Sequence, residues 1–205
     1  MSNPLEDWFQ ANRGPLMNKW LHYFDIYDFH FARFRGRDIV MVEIGVYHGG
    51  SLEMWKSYFG AGAKLVGVDI NPRASKFADA QVDIVIGDQS DRGFLRELRA
   101  RYPRIDVLLD DGGHAMPQQI TTFEELFEGV AEDGVYMVED THTSYWPEFG
   151  GGLRAPGSFI EYAKGLADEL NAWHIREWAT AERSAFARSA ISDVGDGSAS
   201  RRGEP

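Results

Sequence analysis

Five stretches of this chain run apolar with little interruption: "DIVMVEIG", "AKLVGVDI", "VDIVIGD", "RIDVLLDD" and "GVYMVED". A strand with one wet face alternates apolar and polar residues, so continuous β-branched runs describe strands buried on both faces. Between them lie segments of helical character, "SLEMWKSYF", "PRASKFADA", "DRGFLRELRARY" and "QQITTFEELFEGV". One strand followed by one helix, repeated, is the pattern of an α/β fold with a doubly wound parallel sheet. Ser51 stands where it could cap the first of these helices.

Outside this alternation, the spacing of Leu16, Trp20, Tyr23 with Phe24, and Tyr27 predicts an amphipathic helix over 15–34, and a further helix is expected over 158–170. After Trp173 the pattern fades. "REWATAERSAFARSA" has helical character, and residues 192–205 are small and polar, which predicts a disordered tail. The expectation is one domain over 1–191 with a helical N-terminal segment, 1–36. No sixth or seventh strand is legible, which would leave the fifth with a bare edge and favour a homo-oligomer.

With 205 residues, 43% hydrophobic and 13% aromatic, the chain can bury a sizeable core. The absence of cysteine excludes disulfides and thiol catalysis. "MSNPLEDWFQ" lacks the basic start and apolar run of a signal peptide, and no run is long enough to span a bilayer, so a cytoplasmic protein without a membrane partner is expected. A net charge of -11 opposes a phosphate-tracking surface and argues against nucleic acid.

The loop "VEIGVYHGGS" places Gly45, Gly49 and Gly50 where the first strand turns into a helix, a place where a ligand can approach bare backbone. Its spacing matches neither the dinucleotide fingerprint nor the P-loop, so a nucleoside without phosphates is what remains. Asp69 ends the second strand and Asp88 the third. Carboxylates there could accept hydrogen bonds from a ribose diol, and Asp88 or Gln89 could address an adenine amine.

Strands four and five should be neighbours, about 4.8 Å apart, so Asp110 and Asp111 meet Glu139 and Asp140 at one edge. Such crowding is unfavourable unless protons are retained or a cation sits among the carboxylates. Hard oxygen donors select magnesium, calcium or manganese. His114 in "DDGGH" is placed to remove a proton from a metal-bound hydroxyl, with His142 a second candidate base. His22, His30 and His174 read as ordinary hydrogen-bonded residues.

"VEIG" with its glycines, "VGVDI" and "GDQSD" resemble the first three motifs of the class I S-adenosylmethionine-dependent methyltransferases. That resemblance implies S-adenosyl-L-methionine as cofactor, with Glu43, Gly45, Tyr47, Gly49 and Ser51 near its amino-acid part, Asp69 at the ribose and Asp88 with Gln89 at the adenine. "DDGGH", "VEDTHTSYWPEFGGG" and "KWLHYFDIYDFHFARFRG" resemble the metal-dependent O-methyltransferases that modify sugars of macrolides and other polyketides, a pattern shared by the cephalosporin hydroxylase-like proteins. It implies Mg2+ on Asp111, Glu139 and Asp140, His114 as base, and a small-molecule glycosylated substrate, with Asp110 a cofactor contact or supporting acid. Tyr145 and Trp146 could wall the substrate. Two other classes stay open: an oxidoreductase or hydroxylase-related protein of the same fold, and a nonenzymatic binding remnant with a truncated C-terminus.

Overall fold

The computed structural model describes residues 3–172. The helix expected in "REWATAERSAFARSA" and the tail over 192–205 lie outside them. The chain divides into two compact units, 1–159 and 160–205.

In the first unit, helices α1 (Pro4–Ala11) and α2 (Tyr23–Phe31) precede an alternation of β1 (Ile39–Ile44), α3 (Gly50–Phe59), β2 (Ala63–Asp69), β3 (Val82–Ile86), α4 (Arg92–Arg101), β4 (Ile105–Asp110), α5 (Met116–Leu126) and β5 (Val130–Val138). A short 3-10 helix, Pro72–Phe77, stands where a helix between β2 and β3 was expected. In the second unit, the described residues are mainly those of α6 (Phe159–Leu170), where Lys164 pairs with Glu161 at 2.6 Å.

The sheet has strand order β3-β2-β1-β4-β5, and every neighbouring pair is parallel. This is the doubly wound arrangement expected from the continuous apolar runs, and its order reverses between β1 and β4. Successive side chains of a strand point to opposite faces. Met41, Leu65, Val107 and Leu109 accordingly join one buried cluster with Phe24, Phe31 and Trp55, while Val42, Val66 and Leu108 join a second with Leu95 and Leu126. Both faces are therefore covered. Among the described residues β5 is an edge strand.

Local chemistry sets the helix starts. The Asn3 side chain accepts from the backbone of Leu5 at 2.9 Å ahead of α1, and Asp91 accepts from Gly93 at 2.8 Å ahead of α4. The cap expected of Ser51 is not there: Gly49, with φ of 78°, is the N-cap of α3, and the Ser51 hydroxyl donates instead to the buried Glu43 carboxylate at 2.8 Å. Once inside the first turn, a hydroxyl next to a buried acid gains more from that partner than from a backbone amide the solvent could serve.

The helix expected over 15–34 is also corrected. Only Tyr23–Phe31 is α-helical, followed by a 3-10 turn at Ala32–Phe34, and Leu16 and Trp20 are 70% and 59% exposed instead of forming its buried stripe. The Asn12 side chain holds the chain in a turn by donating to the Pro15 carbonyl at 2.9 Å and accepting from Gly14 at 2.8 Å. Residues 15–20 then cross the amino end of α3, close enough that a Cβ on Gly50 would lie 2.4 Å from the Leu16 carbonyl oxygen. That crossing delivers Lys19 to the carboxyl edge of the sheet, and tertiary charge attraction overrides a helical pattern.

The buried aromatic cluster fixes α2 against α3. Trp55 is fully buried, packs edge-on against Tyr27 at 5.3 Å, and donates its indole N–H to Glu43 at 3.1 Å. Trp55→Ala removes both the ring and that donor and is expected to cost about 3–5 kcal/mol in urea unfolding.

Candidate active site

The site occupies the carboxyl edge of the sheet at the order reversal. β1 and β4 pair with Ile44 opposite Asp110, and β4 and β5 with Asp110 opposite Val138, so the residues that follow, Gly45, Asp111 and Glu139, emerge side by side. Gly45 is required here: its φ is 93°, and a Cβ would sit 2.0 Å from the Asp111 carbonyl oxygen. A cleft runs from this point between the β1–α3 loop and the ends of β2 and β3, lined by Gly45, Tyr47, Asp69, Asp88, Gly112 and Gly113 among others. Among the described residues no Lys or Arg lines it, which suits an uncharged nucleoside better than a diphosphate.

Asp69 organises this cleft. Its Oδ2 accepts from the backbone of Val46 and of Tyr47, both at 3.0 Å, and its Oδ1 accepts from Asn71 at 2.8 Å. The carboxylate thus staples the glycine loop to the end of β2, holding Tyr47 at φ of 50° with its ring in solvent. Asp88 accepts from the Ser90 backbone and hydroxyl at 2.8 and 2.7 Å, and these bonds hold its carboxyl below the usual range. Gln89 is buried, and its amide is engaged on both sides: it donates to Asp110 and to Thr122, each at 3.1 Å, and accepts from Gly113 at 2.7 Å. It braces the turn that presents Asp111.

On the far side of Gly45 the cleft continues to Asp111, His114 and Asp140. One donor atom from each of these three lies within 4.8 Å of the others. His114 Nε2 stands 3.6 Å from Asp140 Oδ2 and 3.8 Å from Asp111 Oδ1, while its buried Nδ1 has no hydrogen-bond partner among the described residues. His114 and Asp140 both adopt left-handed backbone, with φ of 57° and 51°. Such conformations persist only where surroundings impose them. Here the Thr143 hydroxyl stands 2.9 Å from the His114 carbonyl oxygen and 3.0 Å from that of Asp140, tying the two loops together. His142 lies further out, with Nδ1 4.0 Å from Asp140 and its ring against Trp146 at 4.8 Å.

Glu139 is placed differently from its neighbours. It is buried, and its carboxylate accepts from Lys19 Nζ at 2.8 Å and from the Tyr27 hydroxyl. Lys19 also donates to Asp111, and Tyr23 donates to Asp140 at 2.9 Å. Burial alone would lower the Lys19 pKa, but Glu139, Asp111 and Glu43 together raise it, so the ammonium stays charged. Burial, with the Asp140 bond second, pushes the Tyr23 phenol up to about 12, which keeps it a donor.

Sequence reasoning assembled the acids but missed the donors Lys19, Tyr23, Tyr27 and Thr143. Their signal was present: Lys19, Tyr23 and Tyr27 are spaced by four residues in "KWLHYFDIY". The apolar reading of that segment concealed it.

Two acids sit behind this front. Glu43, between Ser51 and Trp55, is pushed by burial up to about 7, and Asp110 by burial up to about 6, with its Oδ2 lacking a partner among the described residues. A carboxyl that binds its proton more tightly folded than unfolded favours folding below its folded pKa, and that benefit declines as pH rises from about 4.5 to about 7. Glu43→Gln is therefore expected to flatten the pH dependence of stability, by on the order of 2–3 kcal/mol between pH 4.5 and 8. Urea unfolding of the parent and variant across that range measures it.

The arrangement has relatives. Residues 42–141 match the model of a methyltransferase domain. The chain is 41% identical over 176 residues to demethylmacrocin O-methyltransferase of Streptomyces fradiae, a match covering 79% of this chain and 44% of that protein. It is 39% identical over 162 residues to mycinamicin VI 2''-O-methyltransferase of Micromonospora griseorubida, covering 74% and 40%. Among solved structures, it is similar to the MycE methyltransferase of the mycinamycin biosynthetic pathway in complex with Mg and SAH, with TM-score 0.81 and 30% identity over 90% of this chain and 50% of that one. The chain thus spans about half the length, or less, of these relatives.

Proposed function

We propose that this chain, which belongs to the class I methyltransferase fold with its methyltransferase domain at residues 42–141, moves a methyl group from S-adenosylmethionine to a sugar hydroxyl of a glycosylated natural product with the help of magnesium. The observation that carries this reading is the placement of Asp111, His114 and Asp140 at the end of a phosphate-averse glycine cleft. The similar proteins named above are O-methyltransferases of demethylmacrocin and mycinamicin VI, and MycE holds Mg and SAH.

The residues present fit both groups. Among the described residues, the nucleoside part of the cleft carries carboxylates and no Lys or Arg, and the carboxylates of Asp111 and Asp140 are hard oxygen donors beside which the Lys19 ammonium already serves as a positive charge. When bound, the cofactor would supply an electrophilic methyl and the metal Lewis acidity toward a hydroxyl. Asp111 and Asp140 would hold the metal, with Glu139 in reach once Lys19 gives way. Asp69 keeps the glycine loop in the shape that receives the nucleoside. His114 accepts the proton of the acceptor hydroxyl as the new carbon–oxygen bond forms and the carbon–sulfur bond breaks. His142, with Nδ1 4.0 Å from Asp140 and its ring against Trp146, stands beside the three-residue cluster as the second candidate for that proton. Most of the acceleration comes from alignment, since the sulfonium is already a good leaving group.

Calorimetry with S-adenosylhomocysteine, with and without magnesium, tests the cofactor half. Asp69→Ala is expected to abolish binding while the fold persists by circular dichroism; a folded parent that binds no cofactor would sink the reading. Transfer of labelled methyl to demethylated macrolide and rhamnosyl polyketide acceptors tests the chemistry. His114→Ala is expected to keep cofactor affinity and lose about 10²–10⁴ in turnover. Turnover equal to the parent's removes His114 from the role of base.

A further inference from the structure

The geometry points to Lys19 as an internal cation that occupies the metal position and must be displaced when a divalent ion binds. This rests on the metal reading of the carboxylate cluster given above and adds to it a residue that the sequence did not single out. Lys19 Nζ bridges Asp111 Oδ2 and Glu139 Oε1, and its side chain is only 3% exposed. An ion held jointly by those carboxylates would need the space that the ammonium fills. The two cations compete for the same lone pairs.

Charge and mobility support the exchange. Asp111, Glu139 and Asp140 bring three carboxyl groups to the single positive charge of Lys19, and a divalent ion offers such a donor set more compensation than one ammonium. Lys19 sits in 12–22, a segment without regular secondary structure between α1 and α2. It can withdraw without breaking a helical hydrogen-bond ladder. Tyr23 and Tyr27, on the first turns of α2, hold Asp140 and Glu139 independently and would keep both acids aimed during the exchange.

Displacement also changes the cleft. Leu16, Met17 and Asn18 line it alongside Lys19, and the Leu16 carbonyl lies against Gly50 at the start of α3. Withdrawal of the lysine therefore shifts the wall beside the glycine loop, so metal loading and access to the cofactor cleft are coupled through one short segment.

The test is magnesium titration calorimetry and amide hydrogen exchange on the full chain, as parent, Lys19→Met and Lys19→Arg. Lys19→Met is expected to bind magnesium about tenfold or more tightly than the parent, within the range of couplings between sites that exclude one another. Lys19→Arg, which keeps the charge and both contacts, is expected to bind no more tightly than the parent. In the parent, saturating magnesium should speed exchange over 16–22. Equal or weaker magnesium binding by Lys19→Met, or exchange over 16–22 that magnesium leaves unchanged or slows, overturns the proposal. If Lys19→Met does not fold, the exchange measurement on the parent decides it. Absence of magnesium binding in every folded form overturns the metal reading itself, and this inference with it.

Discussion

Carboxylates crowded at one edge of a sheet are the constraint around which this molecule is arranged. Parallel neighbours lie about 4.8 Å apart, so the ends of β1, β4 and β5 bring Glu43, Asp110, Asp111, Glu139 and Asp140 into one region, most of them out of water. Left alone, such a cluster would have to take up protons or come apart. The N-terminal segment answers it: Lys19 places an ammonium between Asp111 and Glu139, Tyr27 donates to Glu139, and Tyr23 donates to Asp140. The position of α2 and the aromatic core beneath it follow from this demand as much as from apolar burial.

Three of the four left-handed non-glycine residues among the described residues lie at the same place. Tyr47, His114 and Asp140 all occupy left-handed conformations, and each is held by a side chain from elsewhere, Asp69 for the first and Thr143 for the other two. These contacts do not add to the core. They keep two loops from relaxing into ordinary turns that would point the histidine and the aspartates apart. The Asp69 carboxylate shapes the loop through its bonds to Val46 and Tyr47 and also lines the cleft.

Much of the sheet was legible because burial on two faces forces continuous apolar runs, and those runs place β1, β2, β3 and β4 within two residues of where they lie, while β5 begins four residues before its run, at Val130. The order reversal between β1 and β4 follows from the doubly wound pattern, and with it the convergence of Asp111 and Asp140. The N-terminal segment was misread because its apolar spacing fits a helix, whereas the chain from 15 to 20 is pulled out to bring one lysine to the acids. Ser51 was misread for a related reason: a residue that can cap a helix can also serve a buried acid, and nothing local to "GGSLE" says that Glu43 lies beneath it.

The sequence by itself determined the sheet, the glycine turn that lets Gly45 pass the Asp111 carbonyl, and the set of acids at the strand ends, because each depends on short-range pattern or on the spacing between parallel neighbours. Only the tertiary structure decided which acids share a centre and which are already partnered. Asp111, His114 and Asp140 face one another, while Glu139 is held by Lys19 and Tyr27. Those partners come from more than 100 residues earlier in the chain. Electrostatic attraction acts through space and carries no periodicity along the sequence, so it becomes visible only once the fold has brought its groups together.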